Sequence, residues 1–357
     1  MIPFLQAILH KNNGKVFATE TIGQVILVMV IILNSTISLE AQTTDTTRIH
    51  ACRNFFNLTA TLTKPIFSTT IANLDDNLKL KYRTVNPLRF GLAFDYRWFG
   101  VEVSSQIPTT KSQDVRKGKT QSTSFRFTIN SRKFSVLSQY QDYRGFYLDD
   151  NKFIYNPFAT DNPLPKRPDL INKMVHLNGF YYFNHRHYSN PAAAGQYERQ
   201  IRSGGSPMIG IGYLFNSIHA DSSLIPRKER KYFPNMSAIR QVSTSHIYGS
   251  VGYCYSFIYR KKYFLNLSAG PGIARFQVLE KRFNGATSGK WDLGIRLDTR
   301  GSIGYNGESF YYGAFYSGFW TNERLISGNY LLHTFQTFRF FVGWRFRTKK
   351  NLGFLGL

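Results

Sequence analysis

The chain has 357 residues, of which 16% are aromatic and 18% are charged, compared with about 25% charged in an average globular domain. Its mean hydropathy of −0.29 excludes a bundle of membrane helices, but it fits alternating strands whose apolar and polar faces average out. The formal charge of +24 indicates an anionic partner. Lys and Arg are spread along the chain without a compact basic module, which argues against nucleic acid.

The N-terminal residues 1–41 have the features of an export signal. Ile22–Leu33 is an apolar run, and its length of about 12 residues suits a signal-peptide core but is too short to cross a bilayer as a helix. Lys11 and Lys15 precede the run, and Ala41 offers a small residue at a cleavage site. We therefore predict a secretory signal peptide.

Because the first strand is expected near Leu78, we predict that the segment 42–76 is a periplasmic lead-in or a segment that enters a barrel lumen. The barrel itself is predicted over residues 77–347, followed by a C-terminal tail, 348–357. Lipid offers no partners for an open sheet edge, so the first strand, near Leu78, should pair with the last, near Phe340.

Alternation of aromatic and polar residues recurs in twelve segments, of which Arg89 to Trp98 is the clearest. Such period-two patterns are typical of half-buried strands. A soluble β-sandwich also alternates, but its apolar face is rarely so aromatic. The pattern predicts an all-β fold, an antiparallel transmembrane up-and-down β-barrel of about 12 strands, within a range of 10–14.

The lengths of the connections predict which end of the barrel is periplasmic and which is extracellular. Short turns are expected at 306–307, 260–262, 130–132 and 99–100, and longer loops near 322–330, 274–290, 217–245, 144–172 and 108–120. Outer-membrane barrels place short turns in the periplasm and long loops outside the cell. Residues 184–205 break the rule, and they could form an inward plug, a periplasmic helix or a further strand pair.

The face opposite the aromatic residues is predicted to line the lumen and is rich in basic residues. The basic set is Lys79, Lys81, Arg83, Arg89, Arg97, Arg126, Arg296, Arg300, Arg339 and Arg345, and the acidic partners are Asp95, Asp292 and Asp298. These charges could be satisfied by one another in a plugged lumen. They could equally form a narrow channel for anionic solutes.

The sequence has few features that indicate catalysis or metal binding. The sequence contains no zinc, nucleophile-elbow or phosphate-loop motif, and no catalytic, cofactor or metal site is predicted. His185 and His187 could share one face of a strand, but they lack a third ligand. His176 and His246 lie near predicted strand ends, which leaves open an alternative function as a lipid hydrolase or acyltransferase.

Cys52 and Cys254 are the two cysteines of the chain. A single disulfide is possible in an exported protein. Because Cys254 alternates within a strand pattern, a small buried side chain is the preferred interpretation at that position.

The segments Arg144–Leu148, Gln200–Ser206, 86–98 and Gly249–Phe257 resemble those of an uncharacterised Bacteroidota outer-membrane β-barrel family known only as a domain of unknown function. The resemblance extends over roughly residues 55–347. It implies an exported barrel and supplies no activity or site residue. We therefore expect a structural or surface protein, or a narrow porin-like channel, in contact with outer-membrane lipid and lipopolysaccharide.

Overall fold

The structure is a computed structural model that describes residues 47–52, 55–73, 78–85, 88–96, 99–149 and 163–347. The predicted signal peptide and the C-terminal tail lie outside the described residues. Most of the described chain is β-strand. No helix in these ranges is both long and apolar enough to cross a membrane.

The strands follow one another along the chain with short helical segments in some connections. They are β1 (Ile49–Ala51), β2 (Phe55–Asn73), β3 (Leu78–Arg83), β4 (Arg89–Tyr96), β5 (Phe99–Gln106), β6 (Gln121–Asn130), β7 (Phe134–Leu148), β8 (Lys166–Tyr182), β9 (Glu198–Gln200), β10 (Gly204–His219), β11 (Ile239–Tyr259), β12 (Tyr263–Arg282), β13 (Thr287–Asn306), β14 (Phe310–Arg324) and β15 (Tyr330–Arg347). The helical segments are α1 (Lys111–Lys117), a π-helical turn (Pro191–Gly195) and two 3-10 turns (Arg227–Tyr232 and Pro234–Met236).

Adjacent strands pair antiparallel, and the sheet closes on itself. β15 pairs with β2 from Arg347 opposite Phe55 to Tyr330 opposite Ala72. β3 and β4 lie in line and face β2 as one interrupted strand. Counted this way, the described residues form a twelve-stranded up-and-down barrel, which confirms the predicted fold class.

The barrel begins earlier than predicted. β2 is its first strand, so the prediction that 42–76 is a lead-in or lumen segment is wrong for residues 55–73. The partner of Phe340 is Leu62 and not a residue near Leu78. The outward residues of β2 include Leu58, Ala60 and Leu62, so this strand lacks the aromatic alternation that marks the other strands.

The pairing register slips by one residue where β3 passes into β4. Thr63 and Ser68 are five positions apart on β2, whereas their partners Arg89 and Arg83 are six positions apart. An extra residue of this kind is a β-bulge, and a one-residue shift exchanges the two faces of a strand. Pro65, which cannot donate a backbone hydrogen bond, lies on β2 opposite the slip, where such a residue is tolerated.

The two ends of the barrel differ. At the turn end, strands are joined by the predicted short turns after Asn130, Tyr259 and Asn306. At the loop end, the connections include the long segments 107–120 and 220–238. The loop predicted at 274–290 is much shorter, because β12 and β13 continue as a hairpin beyond Arg296, the last β13 residue that pairs with β14.

Gly145 interrupts β7 at a bulge against β8. Its φ is +87°, and an added Cβ would lie 2.3 Å from the Lys119 carbonyl oxygen. We expect Gly145→Ala to lower the free energy of unfolding by about 1–3 kcal/mol, the usual cost of such backbone strain. The measurement is urea unfolding of the folded barrel in micelles. Gly179→Ala is the control, because an added Cβ there meets nothing closer than 3.9 Å, and equal losses would contradict the argument.

Candidate functional site: the interior of the barrel

The inward face carries most of the predicted lumen charges. On β4, the outward residues Phe90, Leu92 and Phe94 are exposed, whereas the inward Arg89 and Asp95 are buried. The predicted residues that the structure brings into the interior are Arg89, Asp95, Arg126, Arg296, Asp298, Arg300, Arg339 and Arg345.

Lys79, Lys81 and Arg83 do not face the interior, and their prediction as lumen residues is wrong. Their neighbours Leu80 and Tyr82 point inward and are buried in an apolar cluster. The register slip between β3 and β4 is the physical reason, since it reverses the faces between the two segments.

The prediction of Asp292 as an acidic partner in the lumen is also wrong. It lies on the projecting part of the β12–β13 hairpin, where its carboxylate is 3.1 Å from the ammonium nitrogen of Lys290 and remains partly exposed. It does not contact the interior charges. Arg97 lies outside the described residues.

Arg296 and Asp298 form the most deeply buried arginine–carboxylate ion pair of the described interior. Two guanidinium nitrogens of Arg296 each donate to an Asp298 oxygen at 2.9 Å. The guanidinium also lies between the rings of Tyr248 and Phe319, 3.9 and 4.1 Å from their centroids. Arg296 is 1% exposed, so removing either charge would leave the other uncompensated.

A second ion pair joins β15 to β5 on the inward surface. The Arg339 guanidinium donates to one oxygen of Glu102 at 3.0 Å, and the Thr61 hydroxyl donates to the other at 2.9 Å. Glu102 was absent from the predicted set. It alternates with Val101 and Val103, and that short apolar–acidic alternation in β5 is the signal that could have found it.

Histidines form a further buried cluster that sequence reasoning missed. Glu323 lies 3.1 Å from Nε2 of His246 and 3.5 Å from Nε2 of His333. His176 is buried as well, with Nε2 2.7 Å from the Tyr248 hydroxyl. The alternative of an exposed histidine base at the bilayer edge is therefore wrong for His176 and His246, both of which are enclosed.

The turn end is covered by residues 184–203 together with residues 47–52. β1 and β9 pair antiparallel as a small separate sheet, and the π-helical turn before β9 has buried alanines. Among the alternatives for this segment, the structure therefore has an inward plug. Its short strand pairs with β1 and adds nothing to the barrel wall.

Side chains of the wall hold this turn-end cover in place. Arg345 of β15 donates to the Gln196 backbone carbonyl at 2.6 Å. The Tyr197 hydroxyl donates to the Asp95 carboxylate at 3.0 Å. Two inward residues of the predicted lumen set thus bind the plug.

The loop end is covered by residues 220–238, which turn back over the opening. Their buried apolar side chains are Leu224, Ile225, Phe233 and Met236. They pack into the main apolar cluster of the described chain. Arg167 at the rim donates to the backbone carbonyls of Ser223 and Leu224 at 2.9 and 3.2 Å.

A cavity of about 160 Å³ lies between the two covers. Its charged lining residues are Asp95, Glu102, Arg126, Asp298, Arg300 and Arg339. Among the described residues, Arg126 has no hydrogen bond and no ion pair. Arg300 stacks on Phe180 at 3.9 Å without a carboxylate of the described chain within ion-pair distance. Enclosed guanidinium groups without a carboxylate at ion-pair distance are costly, so the cavity is suited to an anionic group.

The remaining predicted sites have no binding geometry. His185 and His187 lie in a turn, and burial, followed by the charge of nearby Lys133, lowers the pKa of His185. No cluster suited to a metal ion occurs in the described ranges. Both thiols are free, and that of Cys254 is buried as expected.

The family model of DUF4421, a domain of unknown function, matches residues 43–346 of the chain. No curated protein matches the chain.

Several solved barrels are similar to the chain. The outer membrane protease OmpT of Escherichia coli is 9% identical, with 82% of this chain and 97% of that chain covered and a TM-score of 0.41. The translocator domain of the autotransporter NalP from Neisseria meningitidis is 9% identical, with 92% and 98% covered and a TM-score of 0.31. The Pseudomonas putida toluene transporter TodX is 8% identical, with 82% and 89% covered and a TM-score of 0.26. Similarities this low carry no information about activity.

Proposed function

The chain belongs to the DUF4421 family, and we propose that it is an exported, non-enzymatic outer-membrane β-barrel whose closed lumen receives an anionic group. One observation carries the proposal. The cavity is covered at both ends and presents the guanidinium groups of Arg126 and Arg300, neither of which has a carboxylate of the described chain within ion-pair distance. The sequence resemblance noted above favours a Bacteroidota outer membrane.

The outer surface supports a membrane position. Large apolar side chains are exposed along successive strands, for example Ile295 at 78% and Phe340 at 61%. Exposed apolar area on this scale is unfavourable in water and is what a lipid-facing barrel presents.

An aromatic belt at the turn end supports the same position. Ring contacts run from strand to strand around the wall, with centroids 5.3–6.4 Å apart. The belt consists of Tyr259, Tyr263, Tyr305, Tyr312, Phe310 and Trp344. Such girdles mark the boundary between hydrocarbon and head groups. The turn end is then the periplasmic one, and basic residues beyond the opposite boundary would meet lipopolysaccharide phosphates.

An open channel is the less favoured form of this function. The plug and the loop-end cover both lie across the lumen, and arginines of the wall bind each of them. Conduction would require both covers to move.

The location is tested on the wild-type chain in a Gram-negative host. We expect it to pellet with outer membranes and to change gel mobility after boiling, because a closed barrel resists detergent until it is heated. Recovery in the aqueous fraction, with the same mobility before and after boiling, would favour a soluble β-sandwich and overturn the proposal.

A further inference from the structure

The barrel wall has a weakly paired boundary between β5 and β6. The two strands pair over four residues at the turn end, from Phe99 to Glu102 opposite Ile129 to Arg126. Above these pairs, residues 103–106 of β5 pair with β4, and residues 121–125 of β6 pair with β7. The two segments do not pair with each other. We call this separation the seam. In lipid, unpaired strand edges are costly, so the seam needs a physical explanation.

Arg89 bridges the seam from inside the barrel. Its guanidinium donates to the Ser104 backbone carbonyl on β5 at 3.0 Å and to the Ser122 hydroxyl on β6 at 2.9 Å. The side chain therefore replaces part of the missing ladder with contacts that can be broken and remade. Arg89 is 6% exposed and has no carboxylate partner among the described residues.

The seam leads to the charged interior. A small cavity of about 30 Å³ lies behind it and shares Glu102 and Arg126 with the main cavity. Glu102 accepts hydrogen bonds from Arg339 and Thr61, and the guanidinium of Arg126 lies near it without a hydrogen bond to it among the described residues. On the outer surface, the seam is flanked by Val103 and Phe125, which are 68% and 58% exposed.

We propose that the seam is a lateral opening through which the anionic head of a single-chain amphiphile reaches Arg126 from the bilayer. The head would be a carboxylate or a phosphate, which a guanidinium binds with charge-assisted hydrogen bonds. The acyl chain would stay between Val103 and Phe125. A source in the bilayer is favoured over a free anion because the covers obstruct both aqueous ends and the flanks of the seam are apolar. This inference rests on the proposed membrane position.

The test measures equilibrium binding of radiolabelled dodecanoate to the protein in phosphatidylcholine nanodiscs, with empty nanodiscs subtracted. Acetate and inorganic phosphate are measured in parallel as free anions of the same chemistry. We expect saturable dodecanoate binding that Arg126→Gln weakens about tenfold or more, since it removes a hydrogen bond to a charged group. Acetate and phosphate should bind at least about tenfold more weakly than dodecanoate.

Arg275→Gln is the matched control, because Arg275 lies on the outer surface over the Trp291 ring. We expect its affinity to stay within about twofold of the wild type, which is the range of a neutral surface change. Arg89→Ala, which removes the bridge, should speed dodecanoate uptake. Equal binding by Arg126→Gln and the wild type, or phosphate binding as tight as dodecanoate binding, would overturn the inference.

The heat-dependent gel shift separates the two proposals. Each variant must show it, which establishes that the barrel has folded. A wild type that shifts on heating but does not bind dodecanoate contradicts the lateral opening alone. A wild type that does not shift contradicts the membrane position as well.

Discussion

Replacing both covers of the barrel by short linkers should convert a non-conducting protein into an anion-selective pore, and replacing either cover alone should leave it closed. The reason is geometric. The plug covers the turn end through contacts such as Arg345 to Gln196, and residues 220–238 cover the loop end. Two obstacles in series each stop conduction, so the effects of their removal are not additive.

The experiment uses planar bilayers and five variants. Residues 186–202 and residues 223–237 are replaced by Gly-Ser linkers, singly and together. The control replaces residues 110–117, since helix α1 buries none of its side chains. Conductance steps are expected in the double replacement alone. Adding Arg126→Gln and Arg300→Gln to it should reduce the preference for anions, because rings of basic side chains set such selectivity.

Two results would contradict the closed lumen. One is steady conductance by the wild-type protein. The other is a double replacement that shows the gel shift of a folded barrel and yet stays silent or prefers cations.

Arg296→Met should lower the free energy of unfolding by about 3–5 kcal/mol, the usual cost of leaving one member of a buried ion pair uncompensated. Asp298 would keep its charge without the two hydrogen bonds from Arg296. The rings of Tyr248 and Phe319 would lose the cation between them. Urea unfolding in micelles, followed by tryptophan fluorescence, measures the loss.

The double variant Arg296→Met, Asp298→Leu makes this prediction specific. Apolar residues of similar volume often replace a buried pair without loss, so most of the stability should return. Arg275→Met, a change on the outer surface, should cost less than about 1 kcal/mol. If the double variant is as unstable as Arg296→Met, the uncompensated charge is not the cause.

The aromatic alternation predicted the barrel and its outer surface because every strand of a membrane barrel needs apolar side chains on the face that contacts lipid. Phe338, Phe340 and Trp344 are exposed as the pattern requires. Within a continuous strand, successive side chains point to opposite faces. The inward residues are then the ones between the outward aromatic residues, as for Arg339 and Arg345. This alternation between faces breaks at a bulge. The slip after Arg83 is the reason why Lys79, Lys81 and Arg83 do not face the interior as predicted.

Features that depend on contacts between distant segments could not be read from local patterns. The plug is held by residues of β4 and β15, far from it along the chain. The pairing of Glu102 with Arg339 also joins β5 to β15, which are far apart along the chain. The His246–Glu323–His333 cluster is likewise assembled from three strands, each of which reads separately as an ordinary alternating segment.

The pairing of β2 with β15 has a consequence for assembly. Leu62 meets Phe340 only after almost the whole chain has left the ribosome. Contacts of such long range close slowly, because the entropy of a very large loop must be lost first. Until then, both edge strands offer free backbone groups to any other strand. The unclosed chain is therefore prone to join a second copy edge to edge until the last strand has paired.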